Sequence, residues 1–140
     1  MSNAIPYLCC RDAARALDFY TAAFGAMETM RLAEPSGRIG HAEITIGDAL
    51  VMLSDEYPEM DIRSPQTIGG SPVMIHLYVP DVDAFVARAA AAGATVERPV
   101  ADQFYGDRSG QLRDPFGHRW SIATRRAGKI TGRAPWAVGK

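Results

Sequence analysis

Cysteine is nearly missing from this sequence. There are two, Cys9 and Cys10, and they are adjacent. Neighbours on a strand face opposite ways, so these two are not expected to pair, and no disulfide framework holds the chain. A dominant charge is missing as well. Fifteen Lys and Arg stand against 16 Asp and Glu, for a net charge of −1. That balance favours neither nucleic acid nor an anionic membrane surface as a partner. No apolar run approaches the ~18 residues of a membrane span. The first residues lack the basic-then-apolar order of a secretory leader. The cytoplasm is the expected location. At 140 residues and 47% hydrophobic, the chain suits one compact domain or two small, intimate modules.

One stretch organises the rest. Gly110 to Thr124 reads as strand, turn, strand around Asp114-Pro115-Phe116-Gly117. Asp opens such a turn by bonding the backbone ahead of it, Pro has its φ already set, and Gly tolerates positive φ. An earlier, weaker copy runs from His41 to Ser54 around Gly47-Asp48, a pair suited to a two-residue type II′ turn. The echo extends backwards. A short apolar strand, an Asp and an Ala-rich helical pattern closed by Gly occur twice. Asp81 follows Asp12 by 69 residues, Gly93 follows Gly25 by 68, and Gly117 follows Asp48 by 69. Agreement along a whole unit predicts a duplicated βαβββ module. The expected fold is α+β: two tandem modules, each a curved antiparallel sheet with a helix on its convex face. The modules are placed at 5–55 and 72–124, joined by a linker at 56–71 and followed by a basic tail at 125–140.

Within that frame, Asp12 caps a helix over 13–24 and Asp81 one over 82–92. Leu17, Tyr20 and Phe24 form the buried stripe of the first; Val82, Phe85, Val86 and Ala89 form that of the second. Residues 55–70 show no sustained period and read as a connection between modules, with the option of a lid. Residues 102–109 read as a polar and aromatic loop. The tail reads as a solvated segment or as an arm anchored by Trp136 across a second subunit.

Strand alternation separates a core face from a polar one. Ala42, Ile44 and Ile46 oppose His41, Glu43 and Thr45. Ile75 and Leu77 oppose Met74, His76 and Tyr78, and Trp120 and Ile122 oppose Arg119, Ser121 and Ala123. The second set in each case is rich in imidazole, phenol and guanidinium, which suit specific recognition in a cup as well as a wet surface. Asp107 and Arg108 read either as a loop ion pair or as ligand contacts, and His118 reads as structural.

The two modules, the run Asp12-Ala13-Ala14-Arg15-Ala16-Leu17-Asp18-Phe19-Tyr20 and the run Asp114-Pro115-Phe116-Gly117-His118 make the chain resemble the vicinal-oxygen-chelate superfamily of glyoxalase I, bleomycin-resistance proteins and extradiol dioxygenases. His41-Ala42-Glu43, Gly106-Asp107-Arg108 and the extension to Arg119-Trp120 also look like its PhnB-like branch. The resemblance covers about residues 5–124. It implies a cup completed by a homodimer, and in metal enzymes four strand positions that supply His, Glu or Gln. Matched by the repeat, those positions here hold Ile5, Met52, Met74 and Ser121. Two thioethers, an alkyl group and a hydroxyl do not make a site for a hard or borderline divalent ion.

The expectation is therefore a protein that binds a small organic molecule without metal or other cofactor, sequestering an antibiotic or another polar aromatic compound. Its candidate lining is Tyr7, His41, Glu43, Met52, Met74, His76, Tyr78, Phe104, Tyr105, Arg119 and Ser121. The aromatic members offer stacking, the imidazoles and Arg119 hydrogen bonds, and the methionines an adaptable floor. The alternative is a lyase or isomerase that uses a displaced metal or acid–base site made by His41, Glu43 and His76.

Overall fold

A computed structural model describes residues 1–126. The first module runs β1 (Tyr7–Cys10), α1 (Ala13–Phe24), β2 (Met27–Ala33), β3 (Ile39–Ile46) and β4 (Ala49–Asp55). A 3-10 turn at Pro58–Met60 and a short helix α2 (Pro65–Ile68) lie in the connection. The second module runs β5 (Met74–Tyr78), α3 (Val82–Ala92), β6 (Thr95–Asp102), β7 (Arg108–Arg113) and β8 (Arg119–Thr124). The α+β duplication expected from the sequence is thus present, with both long helices at the predicted bounds. None of the helices is long and apolar enough to cross a membrane among the described residues.

The strand orders are β1-β4-β3-β2 and β5-β8-β7-β6. Each sheet is mixed rather than wholly antiparallel, because β1 runs parallel to β4 and β5 parallel to β8. A strand that leaves through a helix and returns beside its module's last strand must do so by crossover, and crossover pairs are parallel. Tyr7 pairs with Met52 and His76 with Ser121, each pair 69 residues from its counterpart.

The duplication reaches individual hydrogen bonds. Asp12 accepts from the Arg15 N–H and Asp81 from the Ala84 N–H, capping the two helices alike. The last strand of each module also ties down a helix start. Asp55 Oδ1 accepts from Ala13 N at 2.8 Å, and Thr124 Oγ1 accepts from Val82 N at 2.8 Å. Of the Gly47-Asp48 pair only Gly47 has positive φ, +61°, as a type II′ turn requires.

The core is one cluster shared by both modules. Phe24 of α1 stacks on Phe85 of α3 at 5.0 Å and meets Trp120 of β8 edge-on at 4.9 Å. The Tyr20 hydroxyl donates to Asp114 at 2.5 Å, beyond the last strand of its own module. Asp114 also accepts from Trp120 Nε1 at 2.9 Å and from the N–H groups of Phe116 and His118 at 2.9 and 3.0 Å. The Asp-Pro-Phe-Gly turn is therefore the joint between modules. Burial and the bond to Asp114 push the Tyr20 phenol well above its ordinary pKa, so it stays a donor. His118 Nε2 bonds the Cys9 carbonyl oxygen at 2.8 Å, the structural role expected of it.

Two connections differ from the sequence reading. The segment after β4 is folded: Tyr57 pairs with Ile62 in an isolated antiparallel bridge, and Ser64 caps α2. The Ser64-Pro65 pair is the signal for this, a cap followed by proline at the first helical position. The loop expected at 102–109 is shorter, since β6 continues to Asp102 past Pro99, which the edge strand tolerates at a register shift. Of the tail, Arg125 and Arg126 are described; the arm anchored by Trp136 lies outside the described residues.

Candidate functional site

The candidate side chains divide between two sheets. On the first, Tyr7, Met52 and Glu43 align across β1, β4 and β3, with His41 two residues from Glu43 on the same face. The Tyr7 hydroxyl lies 2.6 Å from His41 Nδ1, and His41 Nε2 lies 2.8 Å from a Glu43 carboxylate oxygen. These form a continuous chain of hydrogen bonds. Partial burial and the nearby Glu43 carboxylate raise the Tyr7 pKa, which keeps the phenol protonated.

On the second sheet, His76, Ser121 and Gln111 align across β5, β8 and β7. His76 Nδ1 lies 2.9 Å from Ser121 Oγ. Tyr78 packs edge-on against His76 at 4.8 Å, donates to Asp107 at 2.9 Å and carries the Arg125 guanidinium over its ring at 4.3 Å. Phe104 and Tyr105 meet edge-on at 5.1 Å in the β6–β7 turn, where they help line a cavity of about 230 Å³ that includes Ser121. Met74 pairs with Arg119. Arg119 is not a free fork: its Nε donates to Glu97 at 3.1 Å. Arg108 holds Asp83 through two nitrogens and also reaches Asp102, while Asp107 serves Tyr78. Neither member of the Asp107-Arg108 pair binds the other.

This geometry speaks against a displaced metal site made by His41, Glu43 and His76. His41 and Glu43 are in contact, but His76 belongs to the other sheet and has Ser121 as its partner. Among the described residues no group of three or more His, Cys, Asp or Glu side chains could hold a metal ion.

The cavity with the most consistent lining lies over the first sheet and measures about 580 Å³. Tyr7 and Cys9 of β1, Ser54 of β4 and Gly40 of β3 form its floor. Tyr57, Met60 and Ile62, from the folded connection, form its wall. Gly40 is an extra residue in β3: Ile39 pairs with Ala33 and His41 with Leu32, leaving Gly40 at the register shift. A side chain there would start 3.2 Å from the Tyr57 hydroxyl. Arg38 covers the Tyr57 ring at 3.8 Å and bonds Glu34 and Glu59, fixing the wall in place. Burial and the carboxylates of Glu56 and Asp55 push the Cys9 thiol up to about 11, so it is no ready nucleophile.

Sequence reasoning missed most of this lining. Cys9 and Ser54 follow from the same alternation that gave Tyr7 and Met52, whereas Tyr57, Met60 and Ile62 carry no periodic signal. A larger cavity of about 630 Å³ lies between α2 and the Asp114–Gly117 turn. Its Arg113 and Arg119 are both drawn to Glu97, and the lining is otherwise mostly glycine, proline and small polar side chains.

A sequence profile described as the Glyoxalase/Bleomycin resistance protein/Dioxygenase superfamily matches residues 4–122. The chain belongs to that superfamily. Two curated relatives are uncharacterized proteins of mycobacteria, Rv0887c of Mycobacterium tuberculosis and Mb0911c of Mycobacterium bovis. Each is 48% identical over 120 residues, which is 84% of this chain and 71% and 79% of the respective relative. Among solved structures, TioX from Micromonospora sp. ML1 is similar with a TM-score of 0.70 and 27% identity, over 90% of this chain and all of that one. The fosfomycin resistance protein FosX from Listeria monocytogenes, solved with Mn(II) and sulfate, has a TM-score of 0.67 over 89% of this chain and 90% of its own. At 16% identity it shares the fold. Within this superfamily fold, the 580 Å³ cavity sits on the polar face of one sheet, opposite the face that packs on the helices.

Proposed function

We propose that this superfamily member binds a small, polar aromatic molecule over its first sheet and does so without a divalent metal. The observation that carries the reading is the cavity over β1, β4 and β3. It has two phenol rings for stacking, thioether and alkyl walls, and no charged group in its lining. The metal-free part rests on donor chemistry. Ile5, Met52, Met74 and Ser121 stand where the superfamily's metal enzymes carry ligands, and only a hydroxyl among them is a hard donor. Sequestration of an antibiotic or similar compound, rather than turnover, is the matching role. The run from Asp114 to Trp120 supports a reading of the chain as a PhnB-like member of the superfamily.

The working unit in this reading is a cytoplasmic homodimer. Edge strand β2 exposes Met27, Met30 and Leu32, apolar side chains that a second copy would cover. Sedimentation at micromolar concentration is expected to give a dimer; a monomer refutes this part.

The binding experiment begins with mass spectrometry of whatever co-purifies, followed by calorimetry with that compound. Tyr57→Ala removes one stacking surface and is expected to weaken binding by about 1–2 kcal/mol. Unchanged affinity in both Tyr57→Ala and Tyr7→Ala would remove the cavity from consideration. Elemental analysis showing one divalent metal per chain would remove the metal-free reading. One observation favours a second reading: the Tyr7–His41–Glu43 chain can take up a proton from a bound molecule, as a lyase or isomerase needs. Return of the compound chemically changed would select it.

A further inference from the structure

The lining of the 580 Å³ cavity has four side chains that carry a polar hydrogen: Tyr7, Cys9, Ser54 and Tyr57. Each hydrogen has a partner inside the protein. Ser54 Oγ donates to the Asp55 carbonyl oxygen at 3.0 Å, and the Cys9 thiol points to the same oxygen at 3.9 Å. Burial and the nearby Glu34 carboxylate, which can only accept, raise the Tyr57 phenol's pKa and give its hydrogen an acceptor within the protein.

Tyr7 is settled by a chain of logic that starts at Glu43. An ionised carboxylate is an acceptor, so His41 Nε2, 2.8 Å away, must hold the proton between them. In the neutral ring that leaves Nδ1 with a lone pair, and the Tyr7 O–H, 2.6 Å away, donates to it. Tyr7 then has only oxygen lone pairs to offer its surroundings. No Lys, Arg or His lines the cavity to supply a hydrogen in its place. The side chains thus present acceptors and no free donor.

We propose that this cavity selects a neutral aromatic ligand that brings its own hydrogen-bond donor, a phenolic O–H or a heteroaromatic N–H, and that Tyr7, fixed by His41 and Glu43, is the acceptor that reads it. This rests on the reading of the cavity as the binding site and narrows the ligand class. A ligand with only acceptors would meet oxygen lone pairs at every polar position, and each unpaired contact would cost binding. An anionic ligand fares worse, since the same lone pairs repel it. His41 and Glu43 do not line the cavity. They are positioning residues that act by holding the Tyr7 proton.

The test uses a matched pair of probes, 2-naphthol and 2-methoxynaphthalene, which share a ring system and differ in the O–H. Both are titrated calorimetrically into the full chain at pH 8. The naphthol is expected to bind at least about tenfold more tightly than the ether, the value of one satisfied hydrogen bond over an unpaired acceptor. In Tyr7→Phe the ratio should fall to near one while the ether keeps its affinity, which also shows that the variant is folded. In His41→Phe the Tyr7 proton is released to the cavity, and the ether should gain on the naphthol. Equal binding of the two probes to the unmodified protein overturns the inference and leaves the cavity reading intact, as does a preference that survives Tyr7→Phe. Binding of neither probe removes both.

Discussion

Replacing Tyr20 by Phe takes one oxygen from the centre of the molecule and leaves the ring packing in place. Tyr20 is fully buried, with Phe24, Phe116 and Trp120 around its ring at 5.4, 6.4 and 5.8 Å. Its hydroxyl is one of four donors to the Asp114 carboxylate, and it shares Oδ2 with the Trp120 indole. The loss is therefore one hydrogen bond to a charged acceptor, about 1.5–3 kcal/mol, with no unpaired donor left behind. For a chain of this size that is a fall in Tm of roughly 4–10 °C. Urea titration followed by tryptophan fluorescence should show a lower midpoint and an unchanged slope. Asp114→Asn and the double variant close a thermodynamic cycle, in which a coupling of about 1 kcal/mol or more is expected for residues in direct contact. A change of under ~0.5 kcal/mol in Tyr20→Phe, or a coupling near zero, would refute the placement of this bond at the joint between modules.

Other outcomes follow from single features. Gly117 has φ +92°, and a Cβ there would lie 2.7 Å from Pro65 Cβ, so Gly117→Ala should destabilise by about 2 kcal/mol or more in the same urea assay. Near-native stability would deny that close approach. Glu56 accepts from the Ser64 hydroxyl, the Thr67 hydroxyl and the Ser64 N–H, which lowers its pKa to about 2. Because the folded value lies below the unfolded one of ~4.3, its contribution is present above pH ~4.3 and is lost as pH falls toward about 2. Glu56→Gln should therefore lag the natural protein by a fixed amount at neutral pH, with the gap closing across that window; a pH-independent gap refutes it. Cys9, raised to about 11, and the more deeply buried Cys10 should resist iodoacetamide at pH 8 in the folded state, and full modification within minutes would contradict their described settings.

What could be read from the residues depended on how local the signal was. Asp12, Asp81, Gly25 and Gly93 fixed the long helices to the residue, because caps are set by the few atoms around them. Alternation placed His41 beside Glu43 for the same reason. That Tyr7 and His76 stand on different sheets was legible too, though less directly. Two residues 69 apart hold the same place in two copies, so they belong to equivalent sheets and not to one. Arg119 was another matter. Its partner Glu97 lies two strands away across β8, β7 and β6, and only the register brings the two together. The cavity wall was hardest to see, since Tyr57, Met60 and Ile62 occupy a turn whose shape comes from prolines and one isolated bridge rather than from a repeating pattern.

The shared core has a consequence for how the chain comes apart. A phenol from one half serves the last hairpin of the other, and His118 returns a bond to the Cys9 carbonyl. Neither half closes an interior by itself. Cutting the backbone between the exposed Gly69 and Gly70 should yield two pieces that stay associated and melt in one step. Expressed separately, each piece would leave Phe24 or Trp120 facing water, and they would regain order only on meeting. The two repeats would then behave as complementary fragments, each supplying half of a single cooperative structure.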